Sequence, residues 1–219
     1  MSKAKKIGGL VLRVSSLALG VMIVTGVPAE AHHVMGGRMP STFMEGLLSG
    51  LGHPVVGLDH LAFIVAVGVA VGVAGLNLAV PALFIVASAI GVALHVSGVT
   101  LPGAETLVAL SVLIAGAMIA LGHSGQSSAQ PWVRPWVWAA LFVVAGLIHG
   151  YAFGESIFGA EATPLAAYLV GLVIVQAVLA TGVAFLARRS GAAAVEPRLA
   201  GAAIAGIGIA ILAGQFLPT

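Results

Sequence analysis

Residues 164–187 read PLAAYLVGLVIVQAVLATGVAFLA, a run without one charged side chain. Its apolar residues are continuous rather than alternating. It exceeds the roughly 20 residues a helix needs to cross a bilayer core about 30 Å thick at about 1.5 Å per residue. Five further apolar runs lie at 57–74, 78–96, 106–121, 133–150 and 199–217. In lipid only helices and closed barrels satisfy their own backbone groups, and the alternation of barrel strands is missing here. The expected fold is an all-α polytopic membrane helix bundle of six transmembrane helices. A shorter piece, Thr42–Leu51, precedes the first span and ends at Gly52-His53-Pro54. It reads as a half-helix that dips into the membrane or lies on its surface.

Composition agrees. Of 219 residues, 60% are hydrophobic and 7% charged, against about 25% charged in a soluble domain. Mean hydropathy is +1.14. Too few charges are present to cover a water-facing surface, so lipid is the solvent for most of the chain. Thirty glycines fit close helix packing. The pairs Gly46/Gly50, Gly68/Gly72 and Gly146/Gly150 each put two small residues on one helix face. The small basic excess reflects topology and no nucleic-acid partner. Cysteine is absent, so a metal site here must use imidazole, carboxylate, thioether or backbone oxygen.

The N-terminus carries Lys3, Lys5, Lys6 and Arg13, then an apolar run from about Val14 to Val27, then Pro28-Ala29-Glu30-Ala31. That order is expected of a secretory signal peptide, 1–31, with 32–219 as a single transmembrane transport domain. The alternative is an uncleaved first helix. Cleavage after Ala31 leaves His32 as the new terminus, where an amine beside the imidazoles of His32 and His33 suits Cu or Ni; the plainer reading is a polar tail.

Lys and Arg orient the bundle. Arg134, Arg188, Arg189 and Arg198 fall in segments expected on the cytoplasmic side of a bacterial inner membrane, and only Arg38 follows the leader externally. The mature N-terminus is then periplasmic. This topology gathers His53, Asp59, His60, His95, Glu105, His149, Glu155 and Glu161 at the outer side, with Glu45 in the half-helix nearby. Only His123 and Glu196 are placed inside. Ionisable groups near the bilayer are costly, so they pair, face a cavity or serve function. An outward funnel of imidazole and carboxylate would attract a cation and partly dehydrate it, and imidazole favours Ni, Co, Cu or Zn.

The run His53-Pro-Val-Val-Gly-Leu-Asp59-His60 is the sharpest local feature. With Pro54 as the first residue of a helix, His53 is its cap, and His60, seven residues on, returns to the same face. Asp59 can ligate directly or orient a ring. The structural alternative is a cap plus a buried pair. His149 with Glu155 forms a second cluster, where a helix end opens into a Gly-rich turn. His95 is a lone intramembrane histidine, either packed or ligating. Glu105 suits a helix N-terminus. Met35, Met39 and Met44 read as packing residues that keep copper in play. Trp132, Trp136 and Trp138 read as an interface belt.

The segment Gly52-His53-Pro54-Val55-Val56-Gly57-Leu58-Asp59-His60 resembles the signature of the HupE/UreJ family of nickel and cobalt permeases, and the likeness runs from His32 to the last helix. The resemblance implies that His53, Asp59 and His60 are needed for transport. His149-Gly150 and Glu155 are similar to the family's second motif. Ile148 stands where the family has Phe, and Phe153-Gly154 where relatives often carry another His-Gly. The implied function is secondary import of a divalent Ni²⁺ or Co²⁺ ion, with Cu also in play. The metal is cargo, and no cofactor or catalytic residue is implied. A homo-oligomer is compatible. Two other classes stay open: a membrane metal- or haem-binding enzyme using His95 and His149, and an accessory subunit that binds metal without moving it.

Overall fold

The computed structural model describes residues 38–122, 134–194 and 197–217. The leader 1–31, His32, His33, Met35, His123, Trp132 and Glu196 lie outside the described residues. Seven helices follow one another: α1 Phe43–Val56, α2 Leu58–Val73, α3 Pro81–Val96, α4 Ala104–Gly122, α5 Pro135–Glu155, α6 Ala162–Ala194 and α7 Pro197–Phe216. The described residues contain no strand.

The first helix runs past the expected end at Leu51. It opens on a capping box, in which the Glu45 N–H donates to Thr42 Oγ1 at 3.2 Å and the Thr42 N–H donates to Glu45 Oε2 at 3.2 Å. It then runs through Gly52-His53-Pro54 to Val56. Pro54 is therefore inside α1 rather than at the start of the next helix, and His53 lies in the last turn rather than at a cap. The break falls at Gly57, whose backbone is extended at φ −73° and ψ 107°. The Gly57 N–H donates to His53 O at 3.1 Å and its carbonyl accepts from Leu61 at 2.9 Å, so one residue closes α1 and opens α2. The two axes bend by 78°. A Cβ on Gly57 would stand 2.8 Å from His60 Cδ2 and 3.2 Å from Asp59 Oδ1. Glycine is needed there because the His60 ring folds back over the elbow.

Four helices are long and apolar enough to cross a membrane, namely α4, α5, α6 as Ala162–Arg189, and α7; the bent α1–α2 pair makes up to five. The expected six spans are thus reached in part. The first, 57–74, is α2, only 16 residues long. The second, 78–96, shortens to the 16 residues of α3 because Pro81 sets its first turn. Sixteen residues rise only about 24 Å.

Glycines set the helix pairing. Gly46 and Gly50 of α1 lie against the backbones of Pro164 and Tyr168 in α6, and Gly68 and Gly72 of α2 lie against Ala180, Val183, Ala184 and Ala187 further along it. Gly146 and Gly150 of α5 meet the backbones of Phe84 and Ser88 in α3. Gly116 of α4 and Gly201 of α7 pack on each other's helix. At each close approach a side chain would collide with main chain, which explains the small-residue spacing. The apolar core is centred on α2, with Phe63, Ile64, Val67 and Val71 fully buried.

Candidate metal site at the α1–α2 elbow

The elbow brings together histidines from three helices. His53 comes from the end of α1, His60 from the first turn of α2, and His149 from α5. The His53 and His60 ring centroids are 5.8 Å apart, and those of His60 and His149 5.0 Å. Phe153, one turn beyond His149, packs at 5.2 Å from His53 and 4.2 Å from His60. His53 and His60 therefore meet across the bend, not along one helix face as the seven-residue spacing had indicated. Asp59 sits beside them. Its Oδ1 accepts from the His60 N–H at 2.7 Å and lies 4.0 Å from His60 Nε2.

Hydrogen bonds fix which ring nitrogen points where. Ser111 Oγ of α4 is 2.7 Å from Val108 O and 2.8 Å from His149 Nε2. A carbonyl can only accept, so the serine hydrogen goes to Val108 and Ser111 accepts from His149 Nε2–H. A neutral His149 then accepts at Nδ1, and its partner there is His60 Nδ1 at 2.9 Å. His60 accordingly donates from Nδ1, and its Nε2 lies on the Asp59 side, 4.0 Å from Oδ1. His53 is held at the same ring position. Tyr168 of α6 donates its hydroxyl to Phe153 O at 2.9 Å. Ser156 directs its own hydrogen to Phe153 O at 3.1 Å or to Tyr168 at 3.3 Å. Both oxygens hold His53 Nδ1, at 2.9 Å from Ser156 and 3.0 Å from Tyr168. In both rings Nδ1 is anchored, so a metal would be met at Nε2 of the neutral imidazole.

His149 lies behind His60, on the side of the core. It is fully buried against Phe63 and Phe84. Both its ring nitrogens are in hydrogen bonds, Nδ1 with His60 and Nε2 with Ser111, and through Nδ1 it positions the His60 ring. The expected Gly-rich turn after it is helix, since α5 continues to Glu155. Glu155 is exposed at that end. His95 packs on Tyr151 at 4.4 Å and Phe158 at 5.6 Å, outside the ring contacts of the elbow. Tyr151 itself ties down the α3–α4 loop, accepting from the Leu101 N–H and donating to Val99 O, each at 2.8 Å. Glu105 and Glu161 are exposed in or beside first helical turns. Sequence reasoning missed Ser111, Ser156 and Tyr168; Ser111 and Tyr168 are polar groups inside apolar runs, and Ser156 follows Glu155 just beyond one.

The model of the family described as HupE / UreJ protein matches residues 12–211. The chain belongs to the HupE/UreJ family. Protein HupE of Rhizobium leguminosarum bv. viciae is 32% identical over 191 residues, which cover 86% of this chain and 93% of the relative. No solved structure matches the chain. The family match and the apolar helices together describe a multi-pass membrane protein. In this HupE/UreJ chain, no group of three His, Asp or Glu side chains among the described residues stands ready to hold a metal ion. Two ligand atoms each about 2.1 Å from one ion stand about 3–3.5 Å apart at tetrahedral or octahedral angles, so the 4.0 Å between Asp59 Oδ1 and His60 Nε2 has to shorten for both to bind.

Proposed function

We propose that the chain is a secondary transporter that imports a divalent transition-metal ion, Ni²⁺ or Co²⁺, across the bacterial inner membrane through the α1–α2 elbow. The observation that carries this is the pair of imidazoles, His53 and His60, each anchored at Nδ1 and facing each other at 5.8 Å across the bend, with the Asp59 carboxylate beside His60. Neutral nitrogen and one carboxylate select a borderline transition-metal ion over Mg²⁺ or Ca²⁺. A site at a break in a membrane helix pair is a recurrent arrangement in secondary transporters, where irregular backbone is tolerated because it lines a path. A divalent cation moving inward gains about 4.6 kcal/mol per 100 mV, twice the single-charge figure.

Coordination by His53 of α1 together with His60 of α2, whose ring centroids are 5.8 Å apart, couples occupancy to the 78° bend between the two helices. The reading includes six membrane crossings, with α3 and the α1–α2 pair as short spans fitted by packing inside the protein, a cleaved leader 1–31, and a periplasmic mature terminus that offers His32 as a further ligand. Glu155 and His95 serve as outer funnel groups, and a homo-oligomer is compatible. Uptake of Ni²⁺ and Co²⁺ into proteoliposomes, compared for the wild type and His60→Ala, tests the proposal; equal uptake by both overturns it.

A further inference from the structure

Gln176 stands in the middle of the apolar run that opened the reading of the sequence, where a polar side chain is costly. It is fully buried. Its Nε2 donates to Ser88 Oγ of α3 at 3.0 Å, and its Oε1 has no hydrogen-bond partner among the described residues. Exchanging the amide's two ends leaves the other one unpaired, so the site lacks a partner in either orientation. A buried carbonyl oxygen left unsatisfied costs free energy comparable to a lost hydrogen bond, which calls for a reason.

Position supplies one. Gln176 lies eight residues beyond Tyr168, about 12 Å along α6, and Tyr168 is the anchor of His53. The parallel packing of Gly68 on Ala180 and Val183 puts Gln176 level with Ile64, one turn inward of His60. Its partner Ser88 faces Gly150, the residue after His149. The pair is thus the next buried polar group inward from the histidines. The core around α2 beyond it is lined by Val67, Val71 and Phe142.

On the transport reading above, we infer that Gln176 Oε1 and Ser88 Oγ form an inner oxygen station that receives the divalent cation after it leaves His53 and His60. Two neutral oxygens hold such an ion more weakly than imidazole and carboxylate do. That ordering suits conduction, which needs sites favourable enough to enter and weak enough to leave.

The test combines Ni²⁺ flux into proteoliposomes with equilibrium Ni²⁺ binding to the detergent-solubilised full chain. Gln176→Met keeps the volume and removes the oxygen. It is expected to lower flux about tenfold, a barrier increase of about 1.4 kcal/mol, and to leave equilibrium binding at the elbow unchanged. Ser88→Ala adds no bulk; it is the deciding variant if Gln176→Met does not fold, and is expected to lower flux with binding intact. Wild-type flux in both Gln176→Met and Ser88→Ala overturns the station and leaves the transporter reading standing, as does loss of binding and flux together. Absence of flux in the wild type fails the transport reading itself, and the station with it.

Discussion

Nδ1 of His60 and Nδ1 of His149 lie 2.9 Å apart, and the other nitrogen of His149 is held by Ser111 at 2.8 Å. Three helices are joined by this chain, and its chemical effect is to set the tautomer of one residue, His60. A carboxylate or carbonyl more often does this for a metal-binding imidazole. Here a neutral histidine does it, backed by a serine whose own hydrogen goes to a main-chain carbonyl.

His149→Ala should therefore weaken metal binding without abolishing it. Loss of an orienting partner typically reduces affinity about 10–100-fold, while His60→Ala removes a ligand and should do more. Ser111→Ala, one step further from the ion, should have the smaller effect. Calorimetric Ni²⁺ titration of the three purified variants ranks them; equal losses for Ser111→Ala and His60→Ala would contradict the relay.

Tyr168→Phe keeps the buried ring and removes a hydroxyl that serves both His53 and Phe153 O. Stability should fall by about 1 kcal/mol, the usual net worth of one hydrogen bond. Metal affinity should fall as well, because one of the two hydroxyls that hold His53 Nδ1 is removed. Thermal melts and Ni²⁺ titration of the same preparation separate the two effects.

Gly57→Ala places a methyl 2.8 Å from His60 Cδ2. The backbone there tolerates alanine, since φ is −73°, so the collision falls on the site rather than on the fold. Uptake should drop sharply while the melting temperature moves by only a few degrees. A melting temperature that collapses together with uptake would show that the glycine serves folding instead.

Gly150→Ala makes the opposite prediction. Its methyl would run into the backbone of Ser88, not a movable side chain. Overpacking of this kind costs about 1–3 kcal/mol, and α3 and α5 should separate. A lower melting temperature in detergent is expected, with metal affinity lost only to the extent that His149 moves with its helix.

Much of the helical architecture was legible because apolar runs near 20 residues have one solution in lipid. The glycine pairs were legible because a four-residue spacing puts both on one face. The elbow was not. Pro54 looked like the start of a helix, yet α1 carries it in its last turn and breaks at Gly57, where His60 requires the space. Ligand candidates His53, Asp59 and His60 stood out by type and spacing, and the structure gathers them at the break. The anchors could not be read, since Ser111 is 38 positions from His149 and Tyr168 is 115 from His53. Only tertiary packing makes them neighbours. His149 was visible as a histidine, but its part in orienting His60 depends on both its partners.

The central claim is that His53, Asp59 and His60 at the elbow carry a transition-metal ion through the membrane. Flux of Ni²⁺, Co²⁺, Cu²⁺ and Mg²⁺ into proteoliposomes under an inside-negative potential tests it most directly. The account predicts saturable Ni²⁺ or Co²⁺ entry that rises with the potential, exceeds Mg²⁺ entry, and is lost in His60→Ala. Metal binding by the purified protein with no flux of any of the ions, or flux indifferent to His60→Ala, would contradict it.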